Sequence, residues 1–506
     1  MPEDETSQAI DSNFIKSAMK NSFWNFITSI IGRLGGLVFT ILIARMLQPE
    51  LFGLYSLATS IMFIILTFVD AGINTTLLRY VAAALGKKDD KKAASYFRYF
   101  LKLKTALTFI LALVLIILAK PISIYLFGKP ELFMPLVLCS IFMIFLSLTG
   151  FYESVLYAAK KAKYVTMKEI LYQILRVVLP VLSVYLISDK LFGTLVGLII
   201  SSAAAFILLV MLTYKNYKFL FKKIDINKEE KKRILNFLFF MTIAGITSTF
   251  FVSVDTVILG AFVKSEFIGY YRAAFSLVGA VIGLITLTNI LIPIFTQLEG
   301  QQLERIFNKV FRYSAILSFP IAFGMALIAM PFINIIYGPS YLQSTIPLYL
   351  LSLLVIEGAT GGLFTWLFTA KEKPKTLTKI LLMSTVLNII LNYAFIMFFL
   401  RFGEIYAVLG ASLAVVISRY FNLFYIAKMA KKQLNISVKA SSITKPLIAS
   451  ITMLVLLIIF KGTTKLAWPK SIIEIVFAAA VYFIVLMAIK GITKEDFELP
   501  KRLLKK

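Results

Sequence analysis

Residues 47–58 read Leu47-Gln48-Pro49-Glu50-Leu51-Phe52-Gly53-Leu54-Tyr55-Ser56-Leu57-Ala58. They lie inside the stretch 24–82, which reads as two long apolar helices joined by the short turn Leu47-Gln48-Pro49-Glu50. Glu50, Gly53, Tyr55 and Ala58 return in the same order and spacing as Glu266, Gly269, Tyr271 and Ala274, about 216 positions later. Thr149-Gly150 followed by Ala159-Lys160 is echoed by Thr360-Gly361 followed by Ala370-Lys371 at about the same offset. Repeats of 20–50 residues mark solenoids. This period is far longer, so the repeating unit is a whole lobe.

Of the 506 residues, 59% are apolar and only 16% are charged. Soluble domains run nearer half apolar and a quarter charged. The excess comes in blocks of about 20 residues, the length a helix needs to span a bilayer. These features define an all-α polytopic membrane protein. The shorter, alternating strands of a membrane barrel are excluded. A net charge of +27 in a soluble chain would point to nucleic acid. Here most lysines fall in loops on one side of the membrane, and no nucleic-acid partner is expected.

There is no histidine, so no His-ligated metal and no His general base. The single cysteine, Cys139, rules out a disulfide within the chain. No loop is long enough for a soluble catalytic domain, and neither a P-loop nor a GxGxxG context appears. The chain is therefore expected to be no enzyme, with no catalytic residues, no metal and no cofactor. The polar N-terminus lacks the apolar core and cleavage site of a signal peptide, which leaves the first helix as the insertion signal.

Length and apolarity give about 14 spans: 23–46, 53–82, 99–119, 131–158, 166–187, 192–213, 235–261, 270–297, 311–336, 344–369, 376–400, 406–428, 444–461 and 470–490. One set of loops is lysine-rich, at 87–98, 160–163, 214–235, 371–375 and 428–439. The other set is short and poorer in Lys and Arg. The positive-inside rule puts the first set and both termini in the cytoplasm. The longest loop falls where the repeat begins again. The expected plan is a cytoplasmic tail 1–22, an N-lobe 23–213, a basic linker 214–234 and a C-lobe 235–429. An appendage of two spans at 430–490 and a cytoplasmic tail 491–506 complete it. Six spans per lobe is an even number, so the repeats are parallel, with a site between them near the midplane.

Polar stripes at three- and four-residue spacing mark helix faces that lipid would not tolerate. The first span carries Asn25, Ser29, Gly32, Arg33, Gly36 and Thr40. The second has Ser56, Thr59, Thr67, Asp70 and Asn74. The seventh holds Thr242, Gly245, Thr249, Ser253 and Thr256, with Ser248 and Asp255 beside them; the eighth holds Arg272, Ser276, Gly279, Gly283 and Thr286. Close packing through small residues, as at Gly32-xxx-Gly36, is one explanation. A polar cavity between the lobes is the other, and the match across repeat-related helices favours it.

Intramembrane charges cost about 2.5–3.5 kcal/mol each on insertion scales, so they carry a partner or a task. At about 1.5 Å per residue, Arg33 reaches roughly 15 Å into its span, near the midplane. Arg176 and Glu357 reach similar depths. Asp255 and Arg272 sit toward the outer face, and Asp70, Glu153 and Arg79 toward the inner one. Snorkelling accounts equally well for Arg79 and Arg272, and a structural ion pair for Arg176. Glu357 opens the run Glu357-Gly358-Ala359-Thr360-Gly361-Gly362, which reads as a hinge or as close packing. Asn388 and Asn392 lie one turn apart and either line a cavity or bond across helices. Trp24, Tyr55, Tyr125, Tyr270, Tyr271, Tyr337, Trp366 and Trp468 fall near span ends and read as interfacial anchors.

Asn21-Ser22-Phe23-Trp24, Gly32-Arg33-Leu34-Gly35-Gly36, Ala44-Arg45-Met46-Leu47, Pro49-Glu50-Leu51-Phe52-Gly53-Leu54-Tyr55 and Asp70-Ala71-Gly72-Ile73 together resemble polysaccharide-transporter flippases of the Wzx type. These belong to the MOP exporter superfamily, with lipid II flippases and MATE exporters. The resemblance implies two six-helix lobes in a MATE/lipid II flippase-like arrangement plus two C-terminal helices. It implies movement of a polyprenyl-diphosphate-linked oligosaccharide from the inner to the outer leaflet of the cell membrane by alternating access. The alternative is a MATE-like ion-coupled multidrug exporter. The substrate cavity would involve Arg33, Arg272, Arg79, Arg176, Asn25, Asn74 and Asn388. Asp70, Asp255, Glu357 and Glu153 are the candidates for coupling to H+ or Na+. Membrane lipids and glycan-synthesis proteins are the other expected partners.

Overall fold

The computed structural model describes residues 3–70, 72–286, 291–461 and 468–492. Its described residues are helical almost throughout, as hydrocarbon demands: a helix satisfies every backbone hydrogen bond within its own segment. In chain order the α-helices are α1 (Glu3–Asp70), α2 (Ile73–Gly86), α3 (Asp90–Pro121), α4 (Phe133–Ala158), α5 (Ala162–Leu186) and α6 (Lys190–Asn216). There follow α7 (Lys228–Phe262), α8 (Ser265–Ile285), α9 (Leu291–Gln297), α10 (Gly300–Leu327), α11 (Ala329–Tyr337) and α12 (Thr345–Leu351). The series ends with α13 (Leu354–Ala370), α14 (Pro374–Leu400), α15 (Glu404–Leu434), α16 (Ser441–Lys461) and α17 (Trp468–Ala488).

Among the described residues, 11 helices are long and apolar enough to cross a membrane. The first of these spans 67 residues and contains two passes, while α12 and α13 form one further span bent by 47°. With the shorter apolar helix at Val476–Ala488, the total reaches the expected 14. The turn between the first two passes is tighter than the sequence implies. Only Gln48, at φ 63° and ψ 170°, leaves the helical region. The second pass, expected unbroken over 53–82, instead ends at Asp70 and resumes at Ile73. Gly72 makes the break at φ +87°, where a Cβ would sit 2.8 Å from the Leu238 carbonyl oxygen. Glycine alone tolerates that dihedral and that approach together. Ala71 lies outside the described residues.

The chain divides into two compact units, 1–269 and 270–506. In the first, α5 and α6 pack on each other, α4 on α6, α1 on α5 and α7 on α1. The segment read as a long basic loop is largely folded onto this unit. Leu220, Ile226 and Ile234 are buried with Phe97, Phe100 and Phe151, and the Phe221 ring lies 5.0 Å from that of Phe97. Apolar residues between the lysines of 214–234 explain this. In the second unit α14 packs on α15, and α16 and α17 dock on α10, where the Tyr482 hydroxyl donates to the Ile316 carbonyl at 2.8 Å. Tyr270, Tyr271 and Tyr337 are not interfacial anchors. They are buried, with the Tyr337 ring tilted against that of Tyr341 at 5.3 Å and its hydroxyl bonded to the Ala273 carbonyl. The Trp468 side chain and the tail beyond 492 lie outside the described residues.

The repeat signature has a clear structural role. A Cβ on Gly53 would overlap the Ser265 carbonyl oxygen, and one on Gly269 would overlap the Pro49 carbonyl oxygen. The second pass of α1 and the start of α8 thus touch backbone to backbone, which small residues permit. Nearby, the Lys129 ammonium donates to the Gly260 carbonyl at 2.7 Å.

Candidate functional site

The glycine-rich run of the first pass makes room for a polar stripe on α5. Thr28 and Thr166 share a hydrogen bond of 2.8 Å. Further along, Gly32 lies against the Glu169 carboxylate, Gly35 against the Gln173 amide and Gly36 against the Arg176 guanidinium. Thr166, Glu169, Gln173 and Arg176 follow three- and four-residue steps and so share one face. Arg33 is half-buried on this first pass. The Arg176 guanidinium carbon is 4.1 Å from the centre of the Phe39 ring, and its buried Nε makes no hydrogen bond with the described residues. Both packing and charge placement therefore explain the glycine spacing.

Two buried charge clusters lie within the first unit. Asp70 pairs with Lys104 and accepts from the Ser147 hydroxyl at 3.1 Å, which in turn meets Thr108 at 2.9 Å. Lys104 is fully buried. Glu153 pairs with Lys168 at 2.5 Å, and Lys168 also reaches Glu169 at 2.7 Å. The Gln173 amide donates to the same Glu169 carboxylate at 2.7 Å. Asn74 is half-buried with its amide nitrogen beside Gly150. Asn25 and Arg79 are exposed, whereas Asp255 is 2% exposed.

In the second unit, the Arg272 guanidinium carbon lies 5.4 Å from the Phe275 ring centre. Glu357 is buried, within electrostatic reach of Arg419, and its carboxylate lies over Gly361. The bend falls before Glu357, between Leu351 and Leu354, so the glycines that follow are for packing: Gly358 rests on Ile282. Asn388 donates to the Ser418 hydroxyl at 2.7 Å, and Asn392 donates to the Asn388 carbonyl. Asn388 thus bonds across to α15, while Asn392 bonds back within α14. Asn388→Ala is expected to cost about 1 kcal/mol, in the range of interhelical hydrogen bonds in membranes; thermal unfolding in detergent checks it, and a parent-like midpoint would show the bond to be idle.

Sequence reasoning missed Lys104, Lys168, Glu169 and Gln173. Lys104 and Lys168 follow cytoplasmic lysines closely and read as part of them. The available signal was the four-residue step from Lys104 to Thr108 and from Glu169 to Gln173, which runs a polar stripe into each span.

The fold matches the lipid II flippase MurJ in an inward closed conformation, with a TM-score of 0.68 over 96% of this chain and 100% of that one, at 17% identity. An inward-facing multidrug resistance MATE family transporter of the MOP superfamily matches with a TM-score of 0.64 over 80% of this chain and 95% of that one, at 13% identity. The chain therefore has the fold of MOP-superfamily transporters and is a multi-pass membrane protein. The sequence narrows this further. The profile of the polysaccharide biosynthesis protein family matches residues 18–299, more than half of the chain, and the chain belongs to that family. It is also 23% identical over 206 residues to the probable low-salt glycan biosynthesis flippase Agl15 of Haloferax volcanii, a match covering 39% of this chain and 42% of that relative.

Proposed function

We propose that the protein is a flippase that carries a polyprenyl-diphosphate-linked oligosaccharide from the cytoplasmic to the outer leaflet of the cell membrane by alternating access. Membership of the polysaccharide biosynthesis family carries this reading, and a partial relative described as a probable glycan biosynthesis flippase supports it. The chemistry agrees. A diphosphate is costly to move through hydrocarbon, and guanidinium groups stay charged and offer paired donors to its oxygens. Arg33 and Arg176 supply them beside the α1–α5 seam. Arg272, Arg79, Asn25, Asn74 and Asn388 are the further candidates along the path.

In this reading each lobe has six spans, 23–213 and 235–429, with the basic linker between them, and the positive-inside rule puts both termini in the cytoplasm. Coupling to H+ or Na+ would use Asp70, Asp255, Glu153 or Glu357. A cation arriving at Asp70 or Glu153 competes with Lys104 or Lys168. The protein does no covalent chemistry in this reading, and glycan-synthesis proteins supply and consume its cargo.

The test is translocation of a fluorescent polyprenyl-diphosphate oligosaccharide in reconstituted vesicles, read by an external quencher. Arg33→Ala is expected to slow it at least tenfold, the loss of one charge-assisted hydrogen bond of about 1.5–3 kcal/mol. A parent protein that leaves this lipid in place but expels a cationic dye under an ion gradient would make it a MATE-like exporter instead.

A further inference from the structure

A chamber of about 220 Å³ opens among the second pass of α1, α4, α5 and α6, lined in part by Phe63, Thr149, Glu153, Lys168, Tyr172 and Ser202. The charges around it answer one another. Lys168 bridges Glu153 and Glu169, and the Lys168 ammonium and Arg176 guanidinium lie 5.7 and 5.8 Å from the Tyr172 ring centre. Two carboxylates face two cations, so no net charge remains for an inorganic ion to neutralise.

One polar group in the wall is unmet. Thr149 is 7% exposed, and its Oγ1 makes no hydrogen bond with the described residues. Leaving a buried hydroxyl unmet is unfavourable, and such a group calls for an explanation. The bridged carboxylates keep lone pairs and the ammonium keeps a third N–H, because a carboxylate accepts at about four sites and an ammonium donates three. The walls thus combine aromatic faces with a few convergent donors and acceptors, the usual make-up of a small-molecule site. A neutral polyhydroxylated ring matches them, C–H face to the aromatics and hydroxyls to the polar edge. The space equals about seven waters at ~30 Å³ each, enough for one such ring.

The position agrees. Glu153 is five residues from the end of α4 and Lys168 six from the start of α5, so both lie about 7–9 Å from those helix ends at ~1.5 Å per residue. Residues 159–163 join these ends and belong to the lysine-rich, cytoplasmic set. We infer that this chamber is a subsite for one neutral monosaccharide of the lipid-linked glycan, entered from the cytoplasmic side. The inference rests on the flippase reading and adds to it a place that reads the sugar, separate from the guanidinium groups that hold the diphosphate.

Two probes test it in reconstituted vesicles: undecaprenyl diphosphate bearing one hexose, and undecaprenyl diphosphate with none. Both carry a fluorophore beside the diphosphate that external dithionite bleaches. The readout is the ratio of the two translocation rates. Ser202→Leu, which fills the chamber from α6, is expected to lower the hexose-to-bare ratio about tenfold. Thr149→Val, which keeps the shape and removes the hydroxyl, is expected to lower it about three- to tenfold, the worth of one hydrogen bond. If Ser202→Leu does not fold, Thr149→Val decides alone. A ratio equal to the parent's in the folded variants overturns the subsite, including the case in which both lipids slow equally. The flippase reading survives that result. A parent protein that moves neither lipid overturns both.

Discussion

Gly53→Val is expected to slow translocation about a hundredfold. Even a first side-chain carbon at this position would occupy the space of the Ser265 carbonyl oxygen. Backbone cannot yield as a flexible side chain does, so Gly53 and the segment 265–269 must move apart. Overpacking of this kind costs about 1–3 kcal/mol, and about 2.7 kcal/mol corresponds to a hundredfold change in an equilibrium. A transporter that alternates between two closures loses flux when one closure is removed, because the minor state then limits every cycle. Gly53→Ala should fall between parent and Val. The vesicle assay reads the rate, and an impermeant maleimide on an introduced Glu50→Cys reads the opening, because the native Cys139 is buried. A Gly53→Val protein with the parent's rate and labelling would show that the contact is not a closure.

Lys104→Met is expected to destabilise the protein by about 3–5 kcal/mol, the cost of removing one partner from a buried ion pair. Lys104 is fully buried, and its loss leaves the Asp70 carboxylate facing the Ser147 hydroxyl. The double variant Lys104→Met/Asp70→Asn removes the stranded charge and should recover most of the loss. Thermal unfolding in detergent measures all three proteins. A double variant no more stable than the single one would show that Lys104 contributes by its bulk and not by its charge.

The architecture was legible in the sequence because hydrocarbon imposes a simple rule on length and polarity. Span number and helical class follow from it. Interruptions were harder to see. The bend at 352–353 comes before the glycine run that advertised it, and the break at Gly72 depends on a dihedral and on the approach of α7, which composition does not record. The charged positions were found singly, as arginines and carboxylates inside apolar runs. Their partners were not, since Lys104 and Lys168 stand only a turn or two inside spans that follow true surface lysines. Pairing is a property of three dimensions: Asp70 and Lys104 are 34 residues apart, on separate helices. The tyrosines at 270, 271 and 337 misled for a related reason, because an aromatic residue at a span end serves a protein interior as well as a lipid interface.

The contact between the repeats is reciprocal to the residue. Gly53 rests on Ser265 and Gly269 rests on Pro49, and each pair is four residues apart in its own copy of the motif. That is the rule of an isologous dimer, in which both partners present the same patch to each other. Three residues past each of these glycines the two copies part. Position 56 carries serine and its counterpart, position 272, carries arginine. The likeness of the two copies therefore holds for the glycine contact and not for charge, which falls on one copy only.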